Sequence, residues 1–255
     1  MSQWDLRKNL FHVTCLEELP VERIMSAMHE NTYACIRGLV PETAVRQSIQ
    51  HIGTNFDPAR DHPPRGQPPD AVRSNFQKIN LGGESRTASH DDARFFRAFY
   101  TPFWENDIWH VHDSLKTLAR VRNWIAGLDE NFALEGIESN GLWTAARFHQ
   151  YPAGGGFFRR HTDYVVKDLA DEKSTNFFQV VLTMSRKGEH YKEGGAFVDV
   201  AGDRICIDDG SIPGDIIIYD GRTVHGVEDI DPFEPLDLDR ITGRLAGFAT
   251  LFEKR

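Results

Sequence analysis

Only three cysteines occur in 255 residues, at positions 15, 35 and 206. Odd in number and widely spaced, they offer neither a disulfide framework nor a zinc knuckle, and they read as reduced, structural thiols. Long hydrophobic runs are missing too. From Met1 to Leu19 charge interrupts every apolar stretch, so neither a signal peptide nor a membrane span is expected, and the expected compartment is the cytoplasm. Basic clusters are scarce: the formal charge is −9, and Arg159-Arg160 is the nearest approach to a cationic patch. That excess of acid argues against a nucleic-acid partner, whose binding draws on clustered Lys and Arg. Oligomeric state is not legible.

What is present is a change of period near residue 140. Before it, Thr32 to Val40 reads as a strand, and Pro41 opens a helix in which Val45, Ile49 and Ile52 form one buried stripe. Residues 56–88 are mostly polar and carry Pro58, Pro63, Pro64, Pro68 and Pro69, which makes the segment either disordered or a lid over a site. A helical region is expected from about Asp91 to Gly127, with Leu115, Leu118, Arg122 and Ile125 on one later helix capped by Asp113 or Ser114. His110 and His112 fall on different sides of it and read as surface or packing residues. After residue 140 the pattern is strand-like: 143–151, 157–164, 176–184, 194–200, 204–207, 216–219, 223–227 and 243–252. Short strands at this spacing predict a double-sheet jelly roll, with the earlier helices buttressing one sheet. The expectation is one domain over 1–255, with residues 1–140 as helical support and lid and 141–255 as the jelly-roll core.

Chemistry-bearing residues lie in those strands. His161 and Asp163 are two apart, so on a strand their side chains leave the same face, and His225 stands in Val224-His225-Gly226. Two imidazoles and one carboxylate on one side of an ion suit a borderline divalent metal and leave the opposite positions open. Such a motif needs its context, because eleven His and 38 acids put about 1.6 H-x-D/E matches in a shuffled chain of this length. His90-Asp91-Asp92 is a second match, but it reads as the opening of a helix over Ala93 to Phe99, where Ser89 or Asp91 would cap.

The pieces occur in an order that resembles the Fe(II)/2-oxoglutarate-dependent dioxygenase superfamily: Tyr151-Pro152 before a Gly-rich turn, His161-Thr162-Asp163, Glu193-Gly194-Gly195-Ala196-Phe197, Pro213-Gly214-Asp215, Val224-His225-Gly226-Val227 and Gly243-Arg244. The resemblance covers a little under half of the chain. It implies a double-stranded β-helix, catalytic metal ligands His161, Asp163 and His225, and Fe(II), 2-oxoglutarate and O2 as cofactor and cosubstrates, with ascorbate as a supporting reductant. Arg244 would hold the far carboxylate of 2-oxoglutarate; Arg240, which follows an acidic loop, is the competitor. Many relatives carry Ser or Thr two residues after this Arg, where this chain has Ala246. Tyr151 is the expected replacement for that hydroxyl, and Arg147 shares its strand face as a further cofactor-binding candidate.

The implied activity is hydroxylation of an unactivated C–H bond in a small molecule such as an amino acid or natural-product intermediate, releasing succinate and CO2. An intact Asp163 favours hydroxylation over halogenation. His149, Arg159, Asn75 and Gln77 are the candidate substrate contacts. Two alternatives stay open: a peptidyl hydroxylase with an open groove, and a non-catalytic, cupin-like roll that binds a ligand or metal.

Overall fold

The computed structural model describes residues 9–82, 93–163 and 178–254. Its centre is a rolled sheet of β1 (Leu10–His12), β2 (Tyr33–Arg37), β3 (Phe76–Leu81), β4 (Arg94–Tyr100), β5 (Leu142–Tyr151), β6 (Gly156–His161), β7 (Phe178–Thr183), β8 (Gly195–Val200), β9 (Asp203–Cys206), β10 (Ile216–Asp220), β11 (His225–Ile230) and β12 (Arg244–Glu253). Neighbours run β1-β2-β10-β7-β12-β5-β4-β6-β11-β8-β9, with β3 also paired to β4. Every pairing of these strands is antiparallel except β1 with β2. The two ends of this order curl toward each other, so that β5, β7, β10 and β12 face β6, β8 and β11 across one cavity. This is the double-stranded β-helix, with helices packed on its outside.

Among the described residues three α-helices make that outer layer. In α1 (Val21–Asn31) the buried residues Ile24, Ala27 and Met28 share one face, and Thr32 ends the helix in a left-handed conformation. In α2 (Glu42–Asn55) Pro41 is the N-cap and Val45, Ser48 and Ile52 are buried, with Ile49 at the edge of the core. In α3 (His112–Ile125) the Asp107 carboxylate, rather than Asp113 or Ser114, accepts the free N–H groups of Val111 and His112. The helix lies across β7 and β12. Gly247 permits this approach, because a Cβ there would stand 2.8 Å from the Leu115 side chain. Arg122 on α3 is fully buried and gives its N–H groups to the Ala249 carbonyl, Asn123 and Thr144. His112 is packed against Thr101, while His110 stacks on His51.

Three expectations for the first 140 residues need correction. Residues 94–100 form β4 instead of a helix, because the segment is held between β3 on one side and β5 and β6 on the other. The His90 match lies outside the described residues. The strands before residue 140 also belong to the roll itself: β2 pairs with β10, and β4 pairs with β5 and β6. The Pro-rich run, as far as it is described, is pinned chain. Arg97 sits bidentate on Asp61, its guanidinium lies over Phe56, and Gln77 donates to Asp57 and Asp61. The three cysteines are unpaired, and no helix among the described residues is long and apolar enough to cross a membrane.

Candidate metal centre and its cavity

His161 ends β6 and His225 begins β11, and the two are direct cross-strand partners. Asp163 follows just beyond β6, where its backbone N–H donates to the Gly221 carbonyl at 3.0 Å. That backbone contact fixes where the carboxylate leaves the chain. One donor atom from each of His161, Asp163 and His225 lies within 4.8 Å of the others.

The donors are prepared for an ion. Nδ1 of His161 faces the Arg159 carbonyl at 2.8 Å and Nδ1 of His225 faces the Thr223 carbonyl at 2.9 Å. A carbonyl only accepts, so each Nδ1 carries the ring proton and each Nε2 keeps its lone pair for a metal. Burial pushes the His161 pKa down to about 3, with His225 adding to the effect, so the ring is neutral near pH 7. The Asp163 carboxylate stands 4.0 Å from His161 Nε2 and 3.8 Å from His225 Nε2, too far for hydrogen bonds, and its Oδ2 is buried without a partner among the described residues. Leaving a carboxylate oxygen so is costly unless a cation takes it up. Two imidazoles with their Nδ1 atoms on carbonyls and one orphaned carboxylate oxygen fit a divalent metal of the Fe(II) type.

A cavity adjoins this triad. Arg147, His149 and Tyr151 alternate into it from β5, Val181 from β7, Tyr219 from β10 and Arg244 from β12. The opposite face of β5 is no solvent side: Ala146 and Phe148 are buried in the helix-covered core.

No family model and no curated protein matches the chain. Solved structures do match its fold. A prolyl hydroxylase from Trichoplax adhaerens, in complex with a hypoxia inducible factor oxygen degradation domain peptide fragment, is similar over 99% of this chain and 94% of its own, at 14% identity and a TM-score of 0.57. A Pseudomonas putida prolyl-4-hydroxylase is similar over 92% of this chain and 100% of its own, at 15% identity and a TM-score of 0.54. The non-heme alpha ketoglutarate dependent epimerase SnoN from nogalamycin biosynthesis is similar over 91% and 82%, at 10% identity and a TM-score of 0.53. The likeness is one of fold, and within that fold His161, Asp163 and His225 are the group among the described residues that could hold a metal ion.

Within that fold the other candidate residues divide sharply. Arg244 is buried in the cavity wall, and its Nε and Nη2 lie on Asp208 at 2.6 and 3.2 Å. Asp208 also accepts from the Tyr191 hydroxyl and the Ala196 N–H. Burial pushes the Asp208 carboxyl up, but Arg244 and these donors together hold it below its ordinary value. Arg240 is exposed, and its carbonyl accepts from Gln150. Burial raises the Tyr151 pKa to about 12, so its phenol keeps its proton as a donor. His149 is wedged between Phe96 and Phe248, accepts from Arg147 Nε at Nε2, and is held neutral by burial.

Three candidate substrate contacts are elsewhere. Parity along a regular strand would put Arg159 on the face of His161, but β6 carries a bulge: His225 pairs with His161 and Val227 with Phe158, two residues against three. Phe158 therefore stacks on His161, while Arg159 points out and pairs with Asp229. Arg160 pairs with Asp199, which removes the cationic patch. Asn75 donates to the Asn106 carbonyl and Gln77 braces the Pro-rich run; neither lines the cavity.

Sequence reading missed Asp208, Tyr219 and Thr183. Thr183 lies directly opposite Ala246 on the neighbouring strand, and its hydroxyl is buried without a partner among the described residues. A second polar residue at the parity of Gln179 and Val181, in a strand whose other residues are apolar, was the available signal.

Proposed function

We propose that the protein is an Fe(II)- and 2-oxoglutarate-dependent oxygenase that hydroxylates an unactivated C–H bond of a small molecule. The observation that carries this reading is the triad, with both Nδ1 atoms tied to carbonyls and an orphaned carboxylate oxygen between the two free Nε2 atoms. Bound there, Fe(II) with 2-oxoglutarate would supply the oxidising chemistry from O2, with succinate and CO2 as coproducts.

The chain's own residues do the holding. His161, His225 and Asp163 would bind the metal on one side. At the far end of the cavity Arg244, fixed by Asp208, keeps its Nη1 without a partner among the described residues. That donor, the Tyr151 phenol and the Thr183 hydroxyl would take the far carboxylate of 2-oxoglutarate, so Thr183 replaces the hydroxyl absent at Ala246. Phe158, Val181 and Phe248 make the walls apolar and exclude water from the reacting carbon. The matched structures include both a peptide-bound prolyl hydroxylase and an epimerase, so the fold alone chooses no substrate. The enclosed cavity supports a small molecule.

The test is an anaerobic titration of metal-free protein with Fe(II) and then 2-oxoglutarate, watching for the visible charge-transfer band of the chelated ferrous complex. A band that needs both components and is lost in His225→Ala supports the reading. Tight metal binding with no band would move the assignment to a ligand-binding roll.

A further inference from the structure

The cavity contains two buried guanidinium groups, and only one has a counter-charge. Arg244 is bidentate on Asp208. Arg147 is 8% exposed and has no carboxylate partner among the described residues. Its Nε donates to His149 Nε2 at 3.3 Å and its Nη1 to the Ala145 carbonyl at 3.1 Å, and Nη2 has no partner among the described residues. The guanidinium lies over Phe248 and Phe252, at 5.2 and 5.3 Å from the ring centroids. Ring faces offset only part of the cost of burying a cation. Arginine does not escape that cost by losing its proton, and the adjacent His149 is neutral. The nearest acid that acts on Arg147 is Asp163, which belongs to the metal.

Strand register separates the two arginines. Tyr219, whose ring stands 4.7 Å from that of His225, pairs with Gln179, and Gln179 bonds Thr250 on β12. The next inward row is Ile217, Val181, Phe248 and Arg147. His149, Ala246 and Thr183 follow, and Tyr151 with Arg244 ends the ladder. The Arg244 end is closed by Tyr151, Tyr191 and Asp208, all buried. At the Arg147 end Tyr100 is its cross-strand partner and Phe252 lies under its guanidinium, and both are half-buried among the described residues.

We infer that Arg147 is the recognition point for a carboxylate on the molecule to be oxidised, so that the substrate class is a small carboxylic acid with an apolar body. This rests on the proposed function, in which 2-oxoglutarate takes the closed end. A carboxylate held by Arg147 Nη2 beside the metal leaves its apolar remainder against Phe248, Phe252 and Tyr100. The residue is a specificity determinant and takes no part in holding the metal.

The experiment uses the full chain loaded anaerobically with Fe(II) and saturating 2-oxoglutarate, titrated by calorimetry with 3-phenylpropanoate and with 3-phenylpropanamide. The pair differs only in charge at one end. The acid is expected to bind about tenfold or more tightly than the amide, with the charge-transfer band perturbed but not lost. Arg147→Met is expected to abolish the preference while leaving the 2-oxoglutarate titration of the band unchanged; an intact band also reports that the variant is folded. Equal binding of acid and amide to the wild-type protein overturns the inference without needing any variant. So does displacement of 2-oxoglutarate by the acid, or a weakened 2-oxoglutarate titration in Arg147→Lys, either of which would make Arg147 the cosubstrate's anchor. Absence of any band in the wild-type protein is a different failure, that of the proposed function, and the acid-to-amide comparison is then read on the protein with Fe(II) alone.

Discussion

Thr183 has a buried hydroxyl with nothing to bond among the described residues, on the strand face that carries Val181 into the cavity, and native cores rarely leave such a group in place without a use. Replacing it with Val keeps the shape and removes the polar atom. Because no hydrogen bond is lost, Thr183→Val should unfold at the same denaturant concentration as the parent or slightly higher. The half-saturation of the charge-transfer band by 2-oxoglutarate should rise by about tenfold, as expected for one hydrogen bond to a charged group, with Fe(II) binding unchanged. An unaltered titration would leave Tyr151 as the hydroxyl donor. The triad itself was legible in the sequence because its spacing is local, two residues at and just past the end of one strand plus a His in a recognisable setting. Thr183 was not, since its relation to Ala246 exists only through the pairing of β7 with β12, which lie far apart in the chain. Asp208 escaped for the same reason. Arg159 was misread because a bulge adds one residue and inverts the strand's parity, and nothing in Phe157-Phe158-Arg159-Arg160 announces it.

The distance between the metal's two histidines is set by how closely β6 approaches β11, and Gly226 sets that approach. A Cβ at Gly226 would stand 2.6 Å from both the Phe158 carbonyl oxygen on β6 and the Phe197 ring on β8. Gly226→Ala must therefore push the strands apart at the residue next to His225. The expected outcome is Fe(II) affinity lowered by about tenfold, from geometry displaced by a few tenths of an ångström, together with a loss of stability of about 1–3 kcal/mol from overpacking. Metal titration and denaturant unfolding measure the two effects separately, and unchanged metal affinity would show that the triad is positioned independently of this strand pair. The strands after residue 140 were readable to within a few residues of their bounds, since turns and alternation mark them. β4 was not. Arg94 to Tyr100 is covered on both faces and so lost its alternation, and the Ser and Asp residues before it imitate a helix cap.

Across the molecule, neutral buried histidines couple stability to pH. Burial holds His112 below its ordinary value and His149 well below it, with Arg147 and Arg244 adding to the latter. Between those lowered values and the unfolded-chain value of about 6.5, the unfolded chain binds more protons than the folded one. Stability is then fully present above about pH 6.5 and is lost as the pH falls below it, by up to about 1.4 kcal/mol per pH unit for each such group. For the metal-free protein the urea midpoint should drop between about pH 7.5 and about pH 5 at constant m-value, and His149→Gln should make the drop shallower. His161 acts in the same direction, and because its folded pKa is about 3, its Nε2 stays free over this range, so protonation of this ring should release Fe(II) from the folded protein only as the pH approaches about 3. A midpoint flat over that range would mean that these rings take up protons inside the folded chain. A cavity that loose could not keep Arg147 desolvated, and its preference for an acid over the matching amide should weaken with it.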